Sequence, residues 1–219
     1  MNNSIVRVKI CCIGSIEEAK TAVAYGASAI GLVSEMPSGP GVISEELISE
    51  IAAVVPPGVS TFLLTSKQNT AEIIEQQRRT GVNTIQIVDK LETGNYEDFK
   101  KAIPGVSIVQ VIHVNGEASL RDAVHVSGKV DGLLLDSGIP DMKIKQLGGT
   151  GRTHDWNIST KIVNNVRIPV YLAGGLNPEN VTAAINKVRP FGIDLCSGVR
   201  TNGKLDATKL ERLFAKINF

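Results

Sequence analysis

Short, mostly apolar runs rich in β-branched residues alternate with longer amphipathic stretches along the whole chain. The apolar runs fall at 6–11, 29–33, 59–64, 84–88, 108–114, 132–136, 170–173 and 193–196. Strands with near-continuous apolar character are buried on both faces, as in parallel sheets covered by helices. Apolar residues recur at helical spacing near 16–25, 44–54, 69–80, 95–102, 117–127, 155–165, 177–187 and 206–217. Helix starts carry expected caps: Ser15 before Ile16, Ser44 before Glu45, and Asn177 with Pro178 at the first helical position.

Eight strand–helix units predict an α/β fold, a single (β/α)8 TIM barrel spanning residues 1–219. An open doubly wound sheet has the same alternation but places its one Gly-rich turn after the first strand. Here Gly-rich turns follow the sixth, seventh and eighth strands: Gly148-Gly149-Thr150-Gly151, Ala173-Gly174-Gly175-Leu176 and Ser197-Gly198-Val199. Backbone N–H groups in such turns bind phosphate. A barrel carries its chemistry at the C-terminal mouth, so polar residues at strand ends are the candidates.

Composition narrows the classes. The chain has 219 residues, 42% of them hydrophobic, and a net charge of +1. Such a balance gives no general pull toward nucleic acid or anionic membrane, so neither is expected as a partner. No apolar run is long enough to span a bilayer, and no secretory leader pattern is read at the start. Three cysteines, an odd number, fit a reducing, cytoplasmic setting better than a disulfide framework. Vicinal Cys11-Cys12 lacks zinc-type spacing, and no metal is expected. His113 and His125 have no partner at metal spacing, and Trp156 is expected to pack in the core. A monomer or homodimer is expected.

Cys11 ends the first strand and Asp136 the sixth. Side-chain alternation puts Lys9 and Cys11 on one face, and Leu134 and Asp136 on one face. If those faces point inward, a thiol and a carboxyl meet across the mouth as general base and general acid, and the Lys9 cation favours the thiolate. A buried cysteine is ordinarily a small core residue, and a strand-end aspartate a loop cap; the functional reading needs both groups at one mouth. Cys12 has opposite parity and is expected under a helix. Cys196, on the strand that closes against the first, is expected near Cys11, where the two could couple oxidatively.

With these residues in hand, the chain resembles the phosphoribosylanthranilate isomerase family over essentially its whole length. The resemblance is carried by Val8-Lys9-Ile10-Cys11, Leu134-Leu135-Asp136-Ser137, Gly148-Gly149-Thr150-Gly151-Arg152-Thr153-His154-Asp155-Trp156, the stretch from Pro169 through Ala173-Gly174-Gly175-Leu176-Asn177-Pro178 to Val181, and Gly192-Ile193-Asp194-Leu195-Cys196-Ser197-Gly198-Val199. It implies an Amadori rearrangement of a phosphoribosylated aromatic amine, a small-molecule phosphosugar, in tryptophan biosynthesis. Asp136 would be the acid that opens the sugar ring, and Cys11 the base at sugar C2. Asp194 would bind sugar hydroxyls, and Lys9 is expected with it among the substrate-binding residues. Gly174, Gly175, Ser197 and Gly198 would hold the phosphate, and Gly149 would lie in the loop after strand six. No cofactor is implied, because the protonated Schiff base is the electron sink.

The chain also departs from the family pattern. Cys12 stands where the family has Gly. The loop after strand two reads Met36-Pro37-Ser38-Gly39-Pro40-Gly41 and lacks the Arg that grips the anthranilate carboxylate; that position falls at Gly41. Restoring Arg at 41 is expected to lower KM. Val88-Asp89-Lys90 replaces the usual segment after strand four, and Arg200 replaces a Glu; Arg200 and Lys90 are the substitute cations to consider. Two other readings stay open: an isomerase of the same chemistry with a different aglycone, and a barrel that binds a phosphorylated metabolite without turnover.

Overall fold

The computed structural model describes residues 6–138 and 153–217. Eight strands, β1 (Arg7–Ile10), β2 (Ala29–Val33), β3 (Ser60–Thr65), β4 (Thr84–Ile87), β5 (Ser107–His113), β6 (Gly132–Asp136), β7 (Val170–Leu172) and β8 (Gly192–Leu195), close into one parallel barrel in chain order. Closure is made by β1 against β8, with Lys9 opposite Asp194. The surrounding helices are α1 (Ile16–Tyr25), α2 (Glu45–Val54), α3 (Thr70–Thr80), α4 (Tyr96–Ala102), α5 (Ala118–Ser127), α6 (Trp156–Asn165), α7 (Val181–Val188) and α8 (Ala207–Ile217). The expected (β/α)8 barrel is the observed fold.

Local chemistry starts the helices where the caps predict. Ser15 accepts from the Glu18 amide at 3.1 Å, and Ser44 from the Leu47 amide at 3.3 Å, each satisfying one orphan donor of the first turn. Helix α7 begins later than expected. Residues 177–180 form a turn in which Asn177 and Asn180 each accept from the other's backbone N–H, and α7 follows from Val181.

Strand parity divides the core. Val8, Ile10, Leu133, Leu135, Ile193 and Leu195 face outward, packed beneath the helices. Phe62, Leu64, Val109, Val111, Leu134 and Tyr171 fill the barrel interior, with Phe62 and Tyr171 edge to face at 5.7 Å. Truncating a buried leucine of this kind costs about 2–5 kcal/mol. The interior positions that continue upward from this layer are Cys11, Asp136 and Asp194.

One element falls outside the expected pattern. After a 3-10 turn at Ser197–Val199, a small hairpin of β9 (Arg200–Thr201) and β10 (Lys204–Leu205) precedes α8. Its tip is Asn202-Gly203, with φ of 51° and 78°. Asn-Gly is the favoured two-residue turn for the right-handed twist of a hairpin, so the signal was present in the sequence.

Candidate active site

The upper ends of β1, β6, β7 and β8 surround a cleft that opens to solvent. Cys11, Asp136, Gly174, Gly175, Asp194 and Ser197 all line it. The thiol and the carboxyl expected to face each other thus share one cleft, on strands from opposite sides of the barrel. Both are buried, Cys11 at 5% and Asp136 at 9% exposure.

Lys9 does not reach the cleft wall. It lies fully buried below Cys11, its Nζ 3.0 Å from Oδ1 of Asp194 and 5.1 Å from the Phe62 ring centroid. Burial opposes its charge, but Asp194 first and Cys11 second more than offset this, so Lys9 stays protonated above its ordinary range. Burial also raises the Asp194 carboxyl, an effect Lys9 partly cancels. Asp136 is raised by burial too; the Ser137 N–H it accepts from at 2.7 Å opposes that rise. A carboxyl that holds its proton more tightly than usual suits a general acid.

The phosphate-type turns meet beside these groups. Gly174 and Gly175 have φ of 81° and 63°, the left-handed region that glycine enters without strain. A Cβ at Gly174 would approach His154 Nδ1 to 3.0 Å and the Ser137 amide N to 3.2 Å. Gly198 sits behind the wall rather than on it: a Cβ there would stand 2.0 Å from the Leu176 carbonyl oxygen. Its bareness lets the β7 and β8 turns come together. Gly149 and the rest of 148–151 lie outside the described residues.

Cys12 is not under a helix. Strand β1 ends at Ile10, and Cys12 has φ of 60°, so alternation has stopped and its side chain enters the cleft. Its Sγ lies 2.8 Å from that of Cys196. The expected neighbour of Cys196 was Cys11; the observed one is Cys12, because the φ reversal carries that thiol toward β8.

Neither substitute cation faces the cleft. Arg200 is half-buried in a bidentate pair with Glu18, with Nη1–Oε1 and Nη2–Oε2 both 3.0 Å, and also donates to the carbonyls of Cys11 and Cys12. It braces the β1–α1 loop. Lys90 is exposed, 4.0 Å from Asp122. Of the described residues lining the cleft, none is Lys or Arg. The structure leaves an Arg at 41 little room: Gly41 has φ of 79°, and a Cβ there would meet Cys12 Cβ at 2.5 Å.

His113 bonds the Val88 carbonyl through Nε2 at 3.0 Å, and Trp156 packs against the outer core, as expected of structural residues. His154 Nε2 pairs with Ser159 Oγ at 2.7 Å, and burial lowers its pKa to about 4, so it is neutral near pH 7.

Sequence reasoning missed two residues of the site. Gly31 on β2 leaves the space used by the thiol and the ammonium: a Cβ there would stand 2.8 Å from Cys11 Sγ and 3.1 Å from Lys9 Nζ. Its signal was a glycine inside a strand run, the mark of close approach. Gln86 on β4 lines the cleft with Oε1 buried and without a hydrogen-bond partner among the described residues.

A family model described as N-(5'-phosphoribosyl)anthranilate (PRA) isomerase matches residues 8–216. The N-(5'-phosphoribosyl)anthranilate isomerase of Methanocella arvoryzae is 33% identical over 210 residues, covering 96% of each chain. The crystal structure of phosphoribosyl anthranilate isomerase from Thermotoga maritima superposes with a TM-score of 0.81 at 30% identity, covering 97% of this chain and 98% of that one. A phosphoribosyl anthranilate isomerase solved in complex with reduced 1-(o-carboxyphenylamino)-1-deoxyribulose 5-phosphate superposes at 0.78 with 28% identity and the same coverage.

Proposed function

The chain belongs to the N-(5'-phosphoribosyl)anthranilate isomerase family, and from that premise we propose that Cys11 and Asp136 perform the family's isomerisation as base and acid. The activity is the tryptophan-biosynthesis rearrangement of N-(5'-phosphoribosyl)anthranilate to 1-(o-carboxyphenylamino)-1-deoxyribulose 5-phosphate. The observation that supports the residue assignment is the presence of both groups in one cleft beside the Gly174–Gly175 and Ser197 turns.

Asp136 gives its proton to the furanose ring oxygen. The C1–O bond breaks as the nitrogen lone pair moves into a C1=N bond, leaving a protonated Schiff base. Cys11, as thiolate, takes the proton from C2, and the electron pair passes through C1 to the cationic nitrogen. The resulting enolamine tautomerises to the ketose. The substrate's own iminium is the electron sink, so no step needs a cofactor. Burial of Asp136 keeps the proton available for the first step.

Asp194, anchored by Lys9, accepts hydrogen bonds from sugar hydroxyls. The backbone at Gly174, Gly175 and Ser197 receives the phosphate, with Gly198 behind them letting the two turns meet. Gln86 Oε1 is an acceptor for a substrate N–H or hydroxyl. The cleft wall at Met36, Ser38, Pro40, Leu64 and Val88 takes the aromatic ring.

Growth of a tryptophan auxotroph lacking this isomerase tests the assignment. The parent chain is expected to restore growth, whereas Cys11→Ser and Asp136→Asn, produced at equal level, do not. Rescue by either variant at the parent rate removes that residue from the chemistry. The wall without Lys or Arg among described residues favours, as a second reading, the same chemistry on an aglycone without a carboxylate; failure of the parent chain to rescue would select it.

A further inference from the structure

We propose that Cys12 and Cys196 form a dithiol modification site at the cleft mouth, oxidised by hydroperoxides to an intramolecular disulfide that ties the end of β1 to the end of β8. Neither thiol has a part in the isomerisation, and the inference does not rest on that reading. It rests on placement: the two sulfurs are 2.8 Å apart although 184 residues separate them in the chain, and both line the open cleft. A disulfide needs about 2.05 Å between sulfurs, so each atom moves by only a fraction of an ångström.

The surroundings divide the roles. Hydrogen bonding to Cys12 lowers the Cys196 thiol below its ordinary range, and the Arg200 guanidinium adds to this while burial opposes it. Hydrogen bonds to Cys11 and then to Cys196, together with burial, hold the proton on Cys12. Cys196 is therefore the nucleophile and Cys12 the resolving thiol. The Cys196 thiolate attacks the distal peroxide oxygen, the O–O bond breaks, and the other oxygen departs after protonation as an alcohol, or as water when the oxidant is hydrogen peroxide. Cys12 sulfur then attacks the sulfenic acid, the S–S bond forms, and the hydroxyl leaves as water with the proton of the Cys12 thiol. Two thiols are oxidised by two electrons, and one hydroperoxide is reduced.

Cys11 also touches Cys12, but bridging neighbours in sequence closes an eight-membered ring that strains the peptide between them from trans planarity. Arg200 holds that peptide by donating to its own carbonyl, that of Cys11, and to the Cys12 carbonyl that follows it. The Cys12–Cys196 bridge leaves Cys11 free.

The test uses the full chain, reduced and then treated with hydrogen peroxide, blocked with an alkylating reagent and digested without reduction. The expected result is a Cys12–Cys196 linked peptide lighter by two hydrogens, a fall from three free thiols to one, alkylation at Cys11, and complete return of all thiols with dithiothreitol. Cys12→Ser is expected to leave Cys196 as a sulfenic acid trapped by dimedone. Three titratable thiols after peroxide, a Cys11-linked peptide, or first oxidation at Cys11 overturns the proposal. The wild-type peptide map decides the matter even where a serine variant fails to fold.

Discussion

A Cβ on Gly41 would stand 2.5 Å from Cβ of Cys12 and 3.0 Å from its Cα. The loop after β2 therefore rests on the residue that follows Cys11, and the close approach leaves no room for side chains at both positions. This couples two departures from the family pattern noted in the sequence, a side chain at 12 and none at 41. They are two ends of a single contact.

Gly41→Arg alone is expected to harm rather than help. A non-glycine residue at φ of 79° costs about 1–3 kcal/mol, and the clash with Cys12 adds to it. The expected result is a Tm lower by roughly 2–12 °C with a raised KM. Cys12→Gly together with Gly41→Arg should recover part of the Tm and lower KM below that of the single variant. Additive losses in the double variant, measured by melting and steady-state kinetics, would break the coupling.

Asp136→Asn should separate activity from stability. The folded carboxyl has a raised pKa, so the folded chain binds more protons than the unfolded chain above the ordinary aspartate value, and stability falls as pH rises through that window. Asn carries no charge to desolvate and keeps an acceptor for the Ser137 N–H. At pH 7 the variant should lose at least about 100-fold in kcat and melt no lower than the parent. A Tm well below the parent's would show that the ionised carboxylate stabilises the fold.

Gly31→Ala should disturb Cys11, the proposed base, from beneath the cleft. The added methyl presses on Cys11 Sγ at 2.8 Å and Lys9 Nζ at 3.1 Å. A displacement of under 1 Å at the reacting group predicts a kcat lower by roughly 10–100-fold with KM nearly constant. An unchanged kcat would mean that the thiol moves aside without cost.

His154 should set part of the acid sensitivity. Its pKa falls from 6.5 in the unfolded chain to about 4 in the folded one, chiefly through burial. Between those values the unfolded chain binds a proton that the folded one does not, so stability rises with pH across the window and is lost as pH falls through it. His154→Gln keeps a partner for Ser159 and should flatten Tm against pH between 4 and 6.5. An unaltered slope assigns the acid sensitivity to other groups.

Strand and helix positions were legible because their signals are local. Period, cap and turn chemistry act within a few residues, and the observed strands lie within two residues of the expected runs. Parity along β1 and β6 put Lys9 with Cys11 and Leu134 with Asp136 on shared faces, and the barrel turns those faces inward, since alternation is a property of the extended backbone. It failed at Cys12, where the strand had ended and φ had changed sign. It could not foresee that Arg200 would be consumed by Glu18, a partner 182 residues away.

The amino-acid order by itself determined the barrel, the family likeness and the short set of polar groups aimed at its mouth, because each follows from spacing within one element. Only the closed barrel decided which groups touch: Cys12 with Cys196, Gly41 with Cys12, Gly31 with Cys11, Gly198 with Leu176. Those contacts join strands and loops far apart in the chain, and their distances come from barrel closure and side-chain volume, which no local pattern encodes.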